Sequence, residues 1–138
     1  MKRLLLDTNI LIDLLARRVP FYDEAVGLFL LAETQSVQLS VSSISMVNIH
    51  YVLKRQLSEQ KVRKVLTDLR LLVGVLPMNQ KISDLALNSD FKDFEDAIQY
   101  HTALEFAQEV IITRNLQDFK QSSIPVMTAG QFVHSLPQ

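Results

Sequence analysis

The chain has 138 residues, no Cys, and 14 Lys and Arg against 15 Asp and Glu, for a formal net charge of −1. A single domain over residues 1–138 buries about two thirds of its extended surface and leaves no room for a cleft between two full domains. The lack of Cys excludes disulfides, iron–sulfur clusters and thiolate zinc sites, and His50, His101 and His134 show no short metal-ligand spacing. The longest nearly unbroken apolar run, AVGLFLLA at 25–32, falls far short of the roughly 20 residues of a membrane span. The opening MKRLLL lacks the features of a secretory signal, so the expectation is a soluble cytoplasmic protein with no membrane partner.

In chain order, RLLL at 3–6 reads as a buried strand, and Asp7-Thr8-Asn9 as the polar turn that caps a following helix. Ile10, Leu11, Leu14 and Leu15 lie at helical spacing. A second helical pattern runs from Pro20 to about Glu33, and Val37, Leu39 and Val41 alternate as a second strand. A helix from Ser43 or Ile44 is expected to place Val47 and Tyr51 on one side, with a charged helix at 59–70 after it. LLVGVLP at 71–77 suits a third buried strand, helices follow at 79–88 and 93–107, and EVIITRN at 109–115 and IPVM at 124–127 read as strands four and five. A helical turn at 129–135 ends the pattern. Strands alternating with helices predict a three-layer α/β/α sandwich with a mostly parallel sheet of four or five strands. Phe21, Phe29 and Phe106 are expected in its core, and Gly27 at a close approach of helices.

Such a sheet carries function beyond the carboxyl ends of its strands. Asp7 follows strand one directly; Thr113 stands at the end of strand four, with Asn115 two residues later on the same side and Asp118 about a turn onward. Asp7 reads equally as a helix cap or as an oxygen ligand for a hard divalent cation. Asp96, in the first turn of the 93–107 helix capped by Asp93, has the same two readings: a favourable partner for the helix N-terminus, or a ligand. Asp90, Asp93, Glu95 and Asp96 crowd within seven residues and repel one another unless solvated or neutralised. Carboxylates gathered over divalent ions are the machinery of phosphodiester hydrolysis. No Cys nucleophile or Ser-His-acid arrangement competes, and Gly27, Gly74 and Gly130 are too far apart for a phosphate-binding glycine loop.

The net charge also hides an asymmetry. Residues 54–70 hold six basic and two acidic side chains, whereas residues 84–96 hold five acidic and one basic. Within the first segment Lys61, Arg63 and Lys64, together with Arg114 elsewhere, are candidate contacts for RNA or a partner, the alternative being a solvated helix face.

LLLDTNILIDLL at 4–15, SSISMVNIHYVL at 42–53, DFEDAIQYHTAL at 93–104, VIITRNLQDF at 110–119 and IPVMTAGQFV at 124–133 together resemble the PIN domain family. The resemblance is to its compact bacterial members, the VapC-like toxins of toxin–antitoxin pairs and their solitary relatives. It implies an endoribonuclease that uses Mg²⁺ or Mn²⁺ in an acidic pocket, pairs as a homodimer and is restrained by a cognate antitoxin. By the same resemblance Asp7 is the first conserved acid, Asp96 the third, and Asp118 the fourth, since Asn115 stands where many members carry that acid. Thr113 matches the Ser/Thr that orders the pocket. The second acid, a glutamate in the family, falls on Asn48. Three readings follow from that departure: a working one-metal nuclease with catalytic and metal-ligating Asp7, Asp96 and Asp118 and a neutral Asn48, a catalytically silent RNA-binding or structural relative, or a different phosphoesterase or residue assignment.

Overall fold

The computed structural model describes residues 1–137. In order, its elements are β1 (Lys2–Leu6), α1 (Thr8–Leu15), α2 (Tyr22–Glu33), β2 (Val37–Ser42), α3 (Ser43–Leu53), α4 (Glu59–Leu69), β3 (Val73–Leu76), α5 (Gln80–Leu87), α6 (Phe94–Glu105), β4 (Val110–Ile112), a 3₁₀ turn (Leu116–Phe119), β5 (Val126–Met127) and α7 (Ala129–His134). The five strands form one parallel sheet in the order β3-β2-β1-β4-β5. The expected α/β/α sandwich is present, with five strands. No helix among the described residues is long and apolar enough to cross a membrane.

Alternation along β1 divides the core. Leu4 and Leu6 face α1, α2, α3, α4 and α7, where Ile10, Leu11, Leu28, Ile49, Val62 and Phe132 complete the larger cluster. Leu5 and Ile111 face the opposite way onto Tyr100 and Ala103 of α6 and Phe119 of the 3₁₀ turn. Because apolar residues cover both faces, Leu4–Leu6 of β1 and all of β4 are continuous buried hydrophobic runs, as central parallel strands require, whereas β2 alternates Val37, Leu39 and Val41 with polar residues. Gly27 lies where α2 meets α7, and a Cβ there would stand 3.7 Å from Val133 Cγ2.

The chain builds outward from β1 through β2 to β3, then returns to set β4 on the other side of β1. This reversal leaves a crevice at the carboxyl ends of β1 and β4, the position that open α/β sheets use for ligands. Asp7 and Thr113 are the next residues after those two strands.

Four sequence expectations are corrected. In α3 the buried residues are Ser45, Ile49 and Leu53, whereas Val47 and Tyr51 are exposed. This helix is apolar on most of its circumference, so periodicity does not select the packed side. Strand β3 is shorter than 71–77, with Leu71 exposed in the turn after α4. Strand β4 stops at Ile112, because Thr113 Oγ1 accepts a hydrogen bond from the Asn115 backbone N–H at 3.0 Å and turns the chain. Phe29 is buried, but Phe21 and Phe106 are only half-buried.

Candidate functional site

Asp7 caps α1: its Oδ1 accepts from the Thr8 N–H at 2.8 Å, while its Oδ2 accepts from Thr113 Oγ1 at 2.8 Å. Its own N–H donates to the Ile112 carbonyl at 2.9 Å, so the carboxylate is pinned between β1 and β4. Burial pushes the Asp7 carboxyl pKa above its ordinary value. The bonds from Thr113 and Thr8 oppose that shift, and the charges of Glu95 and Asp118 add to it.

Asp93 caps α6 through a 3.0 Å bond from the Asp96 N–H, which sets the phase of the helix. Asp96, one turn into the helix, then faces the same opening as Asp7. Burial, followed by the charges of Asp7, Asp93, Asp118 and Glu95, pushes its carboxyl up to about 7. Asp118 reaches this opening from the 3₁₀ turn, where its N–H donates to the Asn115 carbonyl at 3.0 Å. Asp7, Asn48, Asp96, Asn115 and Asp118 line one cavity of about 410 Å³, together with Asp93, Glu95 and Tyr51. Thr113 lies beneath it, fully buried. Five residues distant in sequence and singled out there therefore meet at one place.

Glu95 was not singled out individually. Its Oε1 accepts from Asn48 Nδ2 at 2.8 Å and from Thr8 Oγ1 at 3.3 Å. A carboxylate from α6 thus stands beside the amide on α3. Below it, Thr8 Oγ1 and Ser45 Oγ lie 2.8 Å apart, and Gln99 Nε2 donates to Ser45 Oγ at 2.8 Å, tying α1, α3 and α6 together in the interior. The only sequence signals for this layer are small polar residues at core positions: Ser45, Thr8 and Gln99 are all buried.

The basic candidates lie elsewhere. Arg63 and Lys64 are exposed on α4, where Arg63 pairs with Glu59 at 2.7 Å and Lys64 with Asp68 at 2.8 Å; Lys61 is also exposed there. His50 first, then Lys54 and Arg63, hold the Glu59 carboxyl down to about 2. Arg114 turns inward. Its Nε lies 2.8 Å from Asp13 Oδ2, although the N–H is not aimed closely enough for a hydrogen bond, and its guanidinium carbon stands 4.1 Å from the centre of the Phe21 ring.

The ligand atoms the cavity offers are oxygens, five of the lining side chains being the carboxylates Asp7, Asp93, Glu95, Asp96 and Asp118. That chemistry suits a hard divalent ion such as Mg²⁺ or Mn²⁺ and leaves nothing for a soft metal. Burial first and then mutual repulsion among these groups raise the Asp96 pKa, and the repulsion is what such an ion relieves. Among the described residues no three His, Asp or Glu side chains converge as a ready ligand set. The fit is therefore one of chemistry and charge, not of a preformed coordination shell.

This electrostatic load has a consequence for stability. The folded chain holds the Asp96 proton more tightly than the unfolded chain, at about 7 against 3.8, so its stabilising contribution is complete below about pH 4 and lost as pH rises through about 7. In EDTA the thermal midpoint is expected to fall across that interval. Asp96→Asn should flatten the fall and stabilise the protein at pH 8 by about 1 kcal/mol, after allowance for solvent screening. A midpoint independent of pH between 4 and 7 in both proteins would contradict the repulsive pocket.

The model of the PIN domain matches residues 3–117. The chain belongs to the PIN domain family. Among solved structures, it is similar to a chain of a toxin–antitoxin complex from Klebsiella pneumoniae, with 32% identity, a TM-score of 0.67, and coverage of 91% of this chain and 96% of that one. It shares its fold with a chain of VapBC-1 from nontypeable Haemophilus influenzae at 18% identity and a TM-score of 0.68, covering 92% and 98% of the two chains. It also does so with Mycobacterium tuberculosis VapC20, a sarcin–ricin loop cleaving toxin, at 14% identity and 0.61, covering 78% and 86%. No curated protein sequence matches the chain significantly.

Proposed function

We propose that the protein is a metal-dependent endoribonuclease of the VapC-like type, the toxin of a toxin–antitoxin pair. The observation that carries this reading is the meeting of Asp7, Glu95, Asp96 and Asp118 around one open cavity at the carboxyl ends of β1 and β4. The likeness, at 32% identity, to a chain of a toxin–antitoxin complex supports it.

In this reading Asp7, Asp96 and Asp118 would hold Mg²⁺ or Mn²⁺, with Glu95 as the carboxylate that position 48 lacks, and the bound ion would supply Lewis-acid activation of water and charge stabilisation at phosphorus. The chain's own residues do the positioning. Thr113 and the Thr8 N–H occupy one direction on each oxygen of Asp7 and leave its remaining lone pairs turned to the cavity. Asn48, donating to Glu95, fixes that side chain as a neutral amide can and a second carboxylate could not. Asp96, titrating near neutrality, binds an ion or a proton in competition. The protein is further read as cytoplasmic, as a homodimer with two such pockets, and as the partner of a cognate antitoxin, in keeping with the complexes in which the similar chains were solved.

The test is cleavage of end-labelled single-stranded RNA by the purified chain. Endonucleolytic products are expected with Mn²⁺ or Mg²⁺, none with EDTA, and recovery when Mn²⁺ is returned in excess. Cleavage indifferent to chelation overturns the metal mechanism. Intact RNA under every metal condition, with RNA still bound, selects the silent RNA-binding reading instead.

A further inference from the structure

We infer that Arg17, Arg18 and Arg55 form a subsite for the phosphates of single-stranded RNA immediately beside the acidic cavity, with Tyr51 as a stacking platform between the two. This inference rests on the ribonuclease reading and gives its substrate a strandedness and a path.

A second cavity, of about 500 Å³, lies between the carboxyl ends of α1 and α3. Arg17, Arg18 and Arg55 line it together with Gln56, over Leu15 and Leu53, and no carboxylate faces it. Val52 lines both this cavity and the acidic one, so the two adjoin along α3. Among the described residues none of these three arginines makes an ion pair. They differ in this from Arg63 and Lys64 on α4, whose charges carboxylates of their own helix already meet. Arg17 sits at φ 51, a left-handed position just beyond α1 that a glycine would occupy without strain, yet the chain carries a cation there.

A polyanion approaching Asp7, Asp93, Glu95, Asp96 and Asp118 meets repulsion from all of them. An ion in the pocket offsets this only at the phosphate it touches, whereas the neighbouring phosphates need cations of their own within about a Debye length of 10 Å. The arginine cavity supplies them. Tyr51, which lines the acidic cavity, is 66% exposed, and the Arg55 guanidinium carbon lies 5.1 Å from its ring centre. An exposed ring beside unpaired cations is how proteins hold single strands: bases stack on the ring while the backbone follows the charge. A duplex keeps its bases stacked inside and presents none to Tyr51.

The test measures fluorescence anisotropy of a labelled 12-nucleotide uridine RNA, and of a duplex of the same length, in EDTA so that nothing is cut. The single strand is expected to bind more tightly. Arg17→Ala/Arg55→Ala should weaken it at least tenfold at low salt and reduce the slope of log affinity against log salt by about 1.4, near 0.7 for each lost phosphate contact. Adding Arg18→Ala should weaken it further, and Tyr51→Ala alone should cost about 5- to 150-fold. Circular dichroism and the thermal midpoint check that each variant is folded, and Arg55→Ala alone serves if the double variant is not. Full affinity in folded arginine variants, a preference for duplex, or a larger effect from Lys61→Ala/Arg63→Ala/Lys64→Ala overturns the subsite while leaving the ribonuclease reading intact. Failure of the unaltered protein to bind RNA in EDTA at any salt overturns the subsite too, whereas the ribonuclease reading falls only if Mn²⁺ and Mg²⁺ also give no cleavage.

Discussion

Glu95→Gln is expected to lower Mn²⁺ affinity, measured by calorimetry, at least tenfold, and Mn²⁺-dependent RNA cleavage about a hundredfold. Affinity of an oxygen site for a hard cation follows ligand charge, and position 48, where the sequence resemblance implies a glutamate, holds only an amide. The structure brings Glu95 Oε1 to 2.8 Å from Asn48 Nδ2, so the charge missing from α3 stands next to it on α6. Asn48→Glu alone replaces a donor by an acceptor at that contact and sets two carboxylates against each other. In EDTA it should cost roughly 1–3 kcal/mol of stability, through the lost bond and the repulsion. The exchange Asn48→Glu/Glu95→Gln recreates the pair with its ends reversed, the Gln amide now donating to a Glu on α3. Recovery of Mn²⁺ affinity and cleavage to within a few-fold of the original is the expected result. Unaltered Mn²⁺ binding by Glu95→Gln would remove Glu95 from the site, whereas absence of Mn²⁺ binding by the unaltered protein would instead count against the metal reading itself.

The parts of this site legible in the sequence are those fixed by chain topology. An acid directly after an apolar strand, and a Thr-x-Asn turn after another, must lie at one edge of a parallel sheet once the strand order is known, so Asp7, Thr113, Asn115 and Asp118 could be assembled without coordinates. Asp96 followed from helix phase, because Asp93 is a strong cap and Ala97, Tyr100 and Ala103 mark the packed side of α6. Glu95 lies in the same acidic run as its neighbours, and only its contact with a residue 47 positions away distinguishes it. The α3 face was misplaced for a related reason: in a helix rich in Ile, Val and Met on every side, the buried row is decided by the neighbours it meets, here a Ser45–Thr8–Gln99 network that hydropathy reads as surface. Net charge does not show how the basic run of 54–70 divides: Lys54 and Arg63 meet Glu59 and Lys64 meets Asp68, whereas Arg55 and Lys61 make no ion pair among the described residues.

Arg114→Ala should destabilise the protein by about 2–4 kcal/mol, somewhat below the loss on breaking a fully buried pair, because the Arg114 side chain keeps 25% of its surface exposed. Asp13 is 1% exposed and its Oδ1 has no partner, so the arginine is its near neutralising group, with Arg18 acting at longer range. Burial raises the Asp13 carboxyl pKa and Arg114 opposes that shift. Without Arg114 the rise is larger, and the folded state holds the Asp13 proton over a wider interval. The variant's deficit should therefore shrink as the pH falls and Asp13 takes up its proton, and should grow toward neutrality. Asp13→Asn in the Arg114→Ala background should recover part of the loss at pH 7, and the double-mutant cycle would then report the coupling directly. Arg114 also links the loop of Thr113, Asn115 and Asp118 to α1 and to Phe21 ahead of α2, so its removal loosens the support of one side of the acidic cavity. Cleavage should fall several-fold with RNA affinity in EDTA nearly unchanged. An unchanged thermal midpoint with lost RNA affinity would reverse this assignment and return Arg114 to the phosphate-contacting role that its sequence position suggests.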